Sequence, residues 1–199
     1  MAGDAKQAGF ATKAVHAGQE PDLATGAVMT PIYQTSTYAQ ESLGHHKGFE
    51  YARTHNLTRF ALERNLAALE GGQHGFSFGS GLAATNVLMQ TLSAGDHVVC
   101  GNNTYGGTYR LFEKVWRRHG LDFTFVDCTD VGGVEAAFKP NSKMLWLETP
   151  TNPLMQLADI RELSARAKKR GIRVVVDNTF MTPYFQRPLE LGEIGRAHV

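Results

Sequence analysis

The stretch RVVVDNTF, residues 173–180, places three consecutive valines shortly before an aspartate. A short run of β-branched residues is typical of a strand buried on both faces, as in a parallel sheet that is covered by helices. Asp177 follows this run at the point where the strand leaves the core, and parallel sheets bind their ligands at that end of their strands. The stretch therefore predicts both a fold class and one candidate site residue.

Helical and strand patterns alternate on the N-terminal side of this stretch, from about residue 58 onward. The spacing of apolar residues predicts helices at 60–69, 82–92, 107–119, 134–138 and 160–169. It predicts strands at 74–78, 121–127, 143–148 and 172–177, and a further strand that ends at Cys100. This alternation predicts βαβ units, and so an α/β domain with a mostly parallel sheet and helices on both faces. Residues 1–57 lack a clean period and are expected to form an arm that packs on something else, such as a neighbouring subunit.

The composition narrows the possible partners. The net charge is +1 and no block of Lys or Arg stands out, so we expect no nucleic-acid partner. No apolar run approaches the roughly 18 residues of a membrane span, and the polar N-terminus lacks the apolar core of a signal peptide, so a cytoplasmic protein is expected. Cys100 and Cys128 lie in strand-like apolar settings that predict reduced core thiols, and the scattered histidines predict no metal site.

Small, polar or aromatic residues follow four of the predicted strands. They are Gly79-Ser80-Gly81, the segments 102–107 and 148–152, and Asp177. Because the carboxyl ends of parallel strands meet at one edge of a sheet, these groups are expected to converge there. This convergence is the main functional signal in the sequence.

The segment FGSGLAA, residues 78–84, predicts a turn between a strand and a helix. Free backbone N–H groups and the positive end of a helix dipole at such a turn can bind a phosphate, although a plain tight turn is also possible. Gly79, Gly81 and Ala84 further match a dinucleotide-binding pattern, which requires an acidic residue at the end of the next strand. That strand ends in VVCGNN without an acid, so an NAD-dependent dehydrogenase is a disfavoured alternative.

Four further side chains fit a flat, phosphorylated cofactor. A protonated pyridine nitrogen would neutralise Asp177, and the pair would keep the ring able to accept electrons; capping of the next turn is the alternative role. Tyr105 lies in a loop before two glycines and could stack on such a ring or simply pack at the edge of the core. Tyr51 and Arg53 offer a hydroxyl and a forked cation that suit phosphate oxygens.

Taken in order, these segments resemble the cystathionine γ-lyase and γ-synthase family, the enzymes of Cys/Met metabolism that use pyridoxal 5′-phosphate (PLP). The resemblance covers residues 13–192, through KAVHAGQEPDLATGAVMTPIYQTSTY, YARTHNLTRFALERNLAALEGG, SGLAAT, TYGGTYRLF, ETPTNP and VVVDNTFMTPYFQRPLELG. It implies the aspartate-aminotransferase-like fold (PLP fold type I), here incomplete, with a PLP-binding domain at 58–192. It also implies a homotetramer built as a dimer of dimers.

The resemblance assigns the phosphate-binding residues. Gly81 and Leu82 would give backbone N–H groups to the PLP phosphate. Tyr51 and Arg53 would reach that phosphate from the neighbouring subunit, which would explain the N-terminal arm.

The remaining implied roles concern the cofactor ring and the substrate. Tyr105 would stack on the ring and act as the catalytic residue that assists proton transfer. Asn152 would lie near the 3′ oxygen of the ring, and Asp177 would pair with its nitrogen. Arg110 would lie on the substrate side of the site.

The sequence departs from the family pattern in two places. Leu57 stands where the family has a proline in Asn-Pro-Thr, a change expected to loosen a turn slightly. The family's cofactor-binding lysine lies in a Ser-x-Thr-Lys stretch beyond the aspartate, whereas here no lysine occurs after Lys169. The last seven residues, EIGRAHV (193–199), are expected to be a non-native tail. An enzyme is therefore expected of the parent protein, a PLP-dependent carbon–sulfur lyase, whereas the 199-residue chain itself is expected to be a catalytically inert fragment.

The implied chemistry is elimination or replacement at the γ-carbon of a small sulfur amino acid or a homoserine ester. Cystathionine γ-lyase activity, which yields cysteine, ammonia and 2-oxobutyrate, is the expected reaction. Cystathionine γ-synthase and O-acylhomoserine sulfhydrylase are the alternatives. Methionine γ-lyases usually carry a cysteine at the position of Gly107, which disfavours that branch.

Overall fold

The computed structural model describes residues 8–192 and 195–197. The chain divides into two compact units, one that ends at Ser77 and one that begins at Phe78. The first unit contains helices α1 (Phe10–His16) and α2 (Leu57–Glu70). The predicted division into 1–57 and 58–192 stays a prediction, although α2, which it assigns to the PLP-binding domain, lies in the first unit.

Helix α2 has clear signals at both ends. The side chain of Asn56 caps its first turn by accepting two backbone N–H groups, and Gly71 ends it in a left-handed conformation with φ 71°. Asn65, in the middle of α2, donates to carbonyl oxygens at the end of α1, including that of Ala17 at 2.9 Å. Its amide thus provides a donor for the carbonyl oxygen of Ala17, which follows the last turn of α1.

The prediction of a strand at 74–78 was wrong. The structure has no strand there because the segment bonds to α2 instead: the backbone N–H and the hydroxyl of Ser77 both donate to a carboxylate oxygen of Glu63 at 2.9 Å. A Cβ on Gly75 would lie 2.3 Å from the carbonyl oxygen of Glu63, so only glycine permits this close approach. Phe76, whose alternation with Phe78 indicated a strand, is 77% exposed.

The second unit is built on a parallel sheet. Its strands are β1 (His97–Gly101), β2 (Asp122–Val126), β3 (Ser142–Glu148), β4 (Arg173–Asp177) and β5 (Gly195–Ala197), in the order β2-β1-β3-β4-β5. The direction of strand addition reverses between β1 and β3, and ligands of such sheets bind outside the carboxyl ends at this reversal. Of the predicted tail at 193–199, residues 193, 194, 198 and 199 lie outside the described residues.

Helices surround this sheet. They are α3 (Gly81–Met89), α4 (Gly106–Arg110), α5 (Val131–Ala136), α6 (Ile160–Lys169) and α7 (Thr182–Phe185). A π-helical turn at Leu111–Val115 and a 3₁₀ turn at Trp116–His119 continue α4, and a second 3₁₀ turn spans Pro188–Leu191. The predicted helix at 160–169 is found with the same bounds.

Two hydrophobic clusters cover the two faces of the sheet. Val174 and Val176 pack in the cluster that includes Leu163 of α6, whereas Val175 packs in the cluster of Trp146 and residues from the helices on the other face. Alternate side chains of one strand therefore enter opposite cores, which is why the valine run has no polar face. The predicted α/β fold with helices on both faces of a parallel sheet is confirmed.

Two further sequence predictions concern the cysteines and the membrane. Cys100 and Cys128 are both free and buried, and burial raises the pKa of the Cys128 thiol to about 12. In residues 8–192 and 195–197, none of the helices combines the length and the apolar character required to cross a bilayer.

Candidate active site

A cavity of about 310 Å³ lies at the carboxyl edge of the sheet. The loops after β1, β3 and β4 and the start of α3 line it. Five of its lining residues are ones that the sequence singled out: Gly81, Leu82, Tyr105, Asn152 and Asp177. The others are Ser80, Glu148, Pro150, Thr179 and Phe180. The convergence expected from four strand ends is thus found in one cavity, although the segment before Gly79 is not a strand.

The start of α3 presents backbone N–H groups to the cavity. Ser80 is the N-cap of this helix, and its hydroxyl oxygen accepts from the N–H of Ala83 at 3.1 Å. The first N–H groups of a helix have no intrahelical acceptor, so those of Gly81 and Leu82 are available to a ligand. Because the dipole of α3 adds a partial positive charge there, this end of the cavity suits an anion.

Asp177 brings a negatively charged side chain to the same cavity. It is the last residue of β4, is only 4% exposed, and lines the cavity. One carboxylate oxygen accepts from the hydroxyl of Thr179 at 2.6 Å and from its N–H at 3.1 Å. Asp177 therefore does cap the following turn, which was the alternative role, and it also contributes a negative group to the cavity.

A second buried carboxylate, Glu148, stands beside Asp177. The two residues are direct partners in the register of β3 and β4, and Glu148 is 8% exposed. Burial raises the pKa of the Glu148 carboxyl above its ordinary value; the N–H of Tyr105 and the hydroxyl of Thr104 act against this, and the charge of Asp177 adds to it. Two buried carboxyl groups thus lie side by side in this part of the cavity.

Glu148 also accepts hydrogen bonds from both neighbouring loops. One oxygen accepts from the hydroxyl of Thr104 at 2.8 Å and from the N–H of Tyr105 at 2.6 Å. The other accepts from the N–H of Asn152 at 3.0 Å.

Tyr105 precedes α4, and its side chain is 43% exposed at the cavity. Gly107 leaves room for its ring, since a Cβ at position 107 would lie 2.3 Å from one ring carbon. The absence of a side chain at Gly107 thus allows the ring to lie over the start of α4.

The structure does not bring the other predicted residues into this cavity. Arg110 ends α4, is exposed, and is not one of the lining residues. Tyr51 and Arg53 belong to the first compact unit, where the guanidinium donates to the tyrosine hydroxyl at 2.6 Å and lies 5.1 Å from the ring centroid. This pair offers a hydroxyl and a guanidinium side by side, and its predicted role stays a prediction.

The sequence analysis placed Glu148 at this edge of the sheet, within the segment 148–152, but gave no role to Glu148, Thr179 or Phe180. A signal for Glu148 was present, because KMLWLE ends in a carboxylate at a strand end just as RVVVD does. Thr179 and Phe180 lie two and three residues after Asp177, and this proximity in sequence was the only available sign.

Two alternative kinds of site find no support. In the described part of the chain, no group of three or more His, Cys, Asp or Glu residues is arranged to hold a metal ion. The dinucleotide pattern at Gly79 requires a preceding strand, and residues 74–78 do not form one.

Solved structures share this fold. The crystal structure of metB from Corynebacterium glutamicum matches with a TM-score of 0.96 at 45% identity, over 98% of this chain and 51% of the other. That of cystathionine γ-lyase from Lactobacillus plantarum, complexed with L-serine, matches with a TM-score of 0.90 at 45% identity, over 94% of this chain and 49% of the other. The second unit is therefore an α/β domain of PLP fold type I.

The chain belongs to the family of Cys/Met metabolism PLP-dependent enzymes, whose family model matches residues 11–194. It is 58% identical to a probable cystathionine γ-synthase of Herpetosiphon aurantiacus, over 92% of this chain and 58% of the relative. It is 54% identical to a cystathionine β-lyase of Coxiella burnetii, over 94% and 49%. It is 50% identical to a cystathionine γ-lyase of Bacillus subtilis, over 91% and 48%. The chain thus spans about half the length of these relatives.

Proposed function

We propose that this chain supplies the cofactor-binding half of a PLP-dependent enzyme that acts at the γ-carbon of a small sulfur amino acid or homoserine ester. The observation that carries this proposal is the convergence of Gly81, Leu82, Tyr105, Asn152 and Asp177 on one cavity. The membership of the family supports it independently.

The residues of the cavity fit PLP. The cavity offers the N–H groups of Gly81 and Leu82 to a phosphate, and the carboxylates of Asp177 and Glu148 to a cationic ring. Tyr105 adds an aromatic side chain for stacking. A volume of about 310 Å³ lies at the lower end of the range of small-molecule sites, which suits a compact cofactor.

Each of these residues has a distinct task in the proposed reaction. When bound, the cofactor supplies an electron sink for the electron pair left by removal of the substrate's α-proton. Asp177 would keep the ring nitrogen protonated, which would maintain that capacity. Tyr105 would contact the ring and assist proton transfer, and Asn152 would help to orient it.

Cystathionine γ-lyase activity is the specific reaction that we propose. Water and cystathionine would give cysteine, ammonia and 2-oxobutyrate, with cleavage of the bond between the γ-carbon and sulfur. The names of the relatives divide between γ-synthase, γ-lyase and β-lyase, so γ-replacement and cleavage on the β side are the alternatives that an assay must distinguish.

The first unit would serve the site of another subunit. We propose that Tyr51 and Arg53 bind the phosphate in a neighbouring copy, in a tetramer built from dimers. Arg110, which belongs to the second unit, would contact the substrate. A forked guanidinium beside a hydroxyl is well suited to phosphate oxygens.

We also propose a cytoplasmic location for the protein.

The test begins with the source gene, which is sequenced past codon 192 so that the complete protein can be made. That protein is incubated with cystathionine, and with an O-acylhomoserine plus cysteine. Formation of 2-oxobutyrate and cysteine supports γ-lyase activity. Formation of pyruvate indicates β-lyase activity, and formation of cystathionine indicates γ-synthase activity. Absence of all three with PLP bound would overturn the proposal.

A matched pair of variants tests the role of Asp177. Asp127 makes the same local turn, since the N–H and hydroxyl of Thr129 donate to one of its oxygens at 2.9 and 2.8 Å, but it is exposed and does not line the cavity. Asp177→Asn is expected to lower kcat by roughly 10³-fold because it removes a preorganised charge. Asp127→Asn should leave kcat unchanged. Equal effects would show that Asp177 is only a turn residue.

A further inference from the structure

Glu148 is a buried side chain that connects the two loops flanking the reversal of strand order. It ends β3, and its two oxygens accept three hydrogen bonds from Thr104, Tyr105 and Asn152. Thr104 and Tyr105 belong to the loop after β1, and Asn152 belongs to the loop after β3. A single carboxylate therefore fixes the distance between these loops across the crevice where the cavity lies.

The bonds reach the backbone of the two residues whose side chains would contact the ring. The N–H of Tyr105 is held at 2.6 Å and that of Asn152 at 3.0 Å. Because the Tyr105 side chain is 43% exposed, packing alone does not fix its ring, and the anchored backbone N–H gains importance. Charge-assisted bonds of this kind are shorter and stronger than those to neutral acceptors.

The three donors require an acceptor at both oxygens. A glutamine at position 148 keeps the shape of the side chain but replaces one oxygen with an NH₂ group, which only donates. That NH₂ group would face a backbone N–H in either orientation, so at least one of the two loops would lose its bond. The environment thus selects a carboxylate rather than any polar side chain of this size.

We propose that Glu148 is a positioning residue. It fixes Tyr105 and Asn152 relative to each other across the crevice between β1 and β3, and thereby sets the position of the cofactor ring. This proposal rests on the proposed function for its second half only. The anchoring of the loops can be measured whether or not PLP is bound.

The experiment compares Glu148→Gln with Glu162→Gln in the complete protein, with and without PLP. Glu162 is an exposed glutamate that pairs with Arg166, so its substitution is a matched control. Hydrogen–deuterium exchange by mass spectrometry follows peptides that contain Tyr105 and Asn152. Exchange there should become about 10-fold faster or more in Glu148→Gln, without change in the strands. Unchanged exchange in both peptides would overturn the anchoring.

Visible circular dichroism of bound PLP reports the position and surroundings of the cofactor ring. Glu148→Gln should change this signal and lower kcat more than it changes KM, because both ring contacts depend on the two loops. Faster exchange with an unchanged cofactor signal would refute the positioning role while leaving the anchoring intact. If PLP does not bind the parent protein, the proposed function fails, and the exchange result still stands on its own.

Glu148→Asp provides the second variant if the glutamine protein does not fold. It keeps the negative charge but is shorter by one methylene, so it cannot reach both loops. A positioning role predicts faster exchange in at least one loop, as in Glu148→Gln. Exchange like that of the parent protein would show that charge alone matters, and would overturn the proposal.

Discussion

Gly107→Ala tests whether the position of the Tyr105 ring matters for catalysis. The new Cβ would lie 2.3, 3.0 and 3.1 Å from three atoms of that ring, whereas ordinary van der Waals contact begins at 3.4 Å. The ring must therefore move by about 1 Å or turn away. A displacement of about 1 Å at a reacting group can cost about 10²-fold in rate, which is about 2.7 kcal/mol in transition-state stabilisation.

The free energy of unfolding of the same variant should increase or stay unchanged, although its activity falls. The Tyr105 ring is partly exposed and can rotate, and alanine is favoured over glycine within a helix by up to about 1 kcal/mol. A loss of activity without a loss of stability is therefore the expected signature. It separates a displaced ring from a damaged fold.

Gly106→Ala is the matched control. It makes the same chemical change one residue earlier in α4, where the nearest atom to the new Cβ is the tip of the Arg110 side chain at 3.2 Å. The assay is kcat/KM of the complete protein with its preferred substrate, together with a urea unfolding midpoint. A kcat/KM of Gly107→Ala within about twofold of that of Gly106→Ala would show that the position of the Tyr105 ring does not matter for catalysis.

Three further predictions concern stability. Leu57→Pro should be neutral or stabilising by up to about 1 kcal/mol in urea unfolding. Asn56 already has the extended backbone that precedes a proline, and position 57 is the first residue of α2. A loss of stability above about 1 kcal/mol would contradict this expectation. Burial and, less strongly, a nearby lysine lower the pKa of His97, so stability present above about pH 6.5 should be lost as the pH falls below it, and His97→Gln should flatten that slope. Leu163→Ala, at a fully buried position, should cost about 3 kcal/mol, and Leu154→Ala, at a 67% exposed one, less than about 0.5; similar costs would contradict the assignment of the core.

Local sequence patterns predicted most of the second unit. The helix at 160–169 was found with its bounds unchanged, because Asp159 caps its first turn and its apolar residues recur at helical spacing. The valine run predicted β4 for a similar reason, since both of its faces meet a hydrophobic core. These features depend on neighbours in sequence and on burial, which a pattern of residue types records.

The strand predicted at 74–78 shows where local patterns are insufficient. The alternation of Phe76 and Phe78 is typical of a strand, but Gly75 and Ser77 contact Glu63 on α2 instead. Those contacts join residues 12 to 14 positions apart, and a local period carries no information about them. Within the first unit, bonds to one glutamate side chain thus replace the ladder of a strand.

The two carboxylates at the ends of β3 and β4 show the same limit within the site. Glu148 and Asp177 have the same local pattern, a carboxylate at the end of a buried strand, and only the fold distinguishes them. Glu148 accepts from residues 43 and 44 positions earlier in the chain, across the reversal of strand order, whereas the bonds from Thr179 to Asp177 span two positions. The sequence could therefore place a negative charge at this edge of the sheet. It could not show that Glu148 binds the loops after β1 and β3, because those bonds depend on which strand lies beside which.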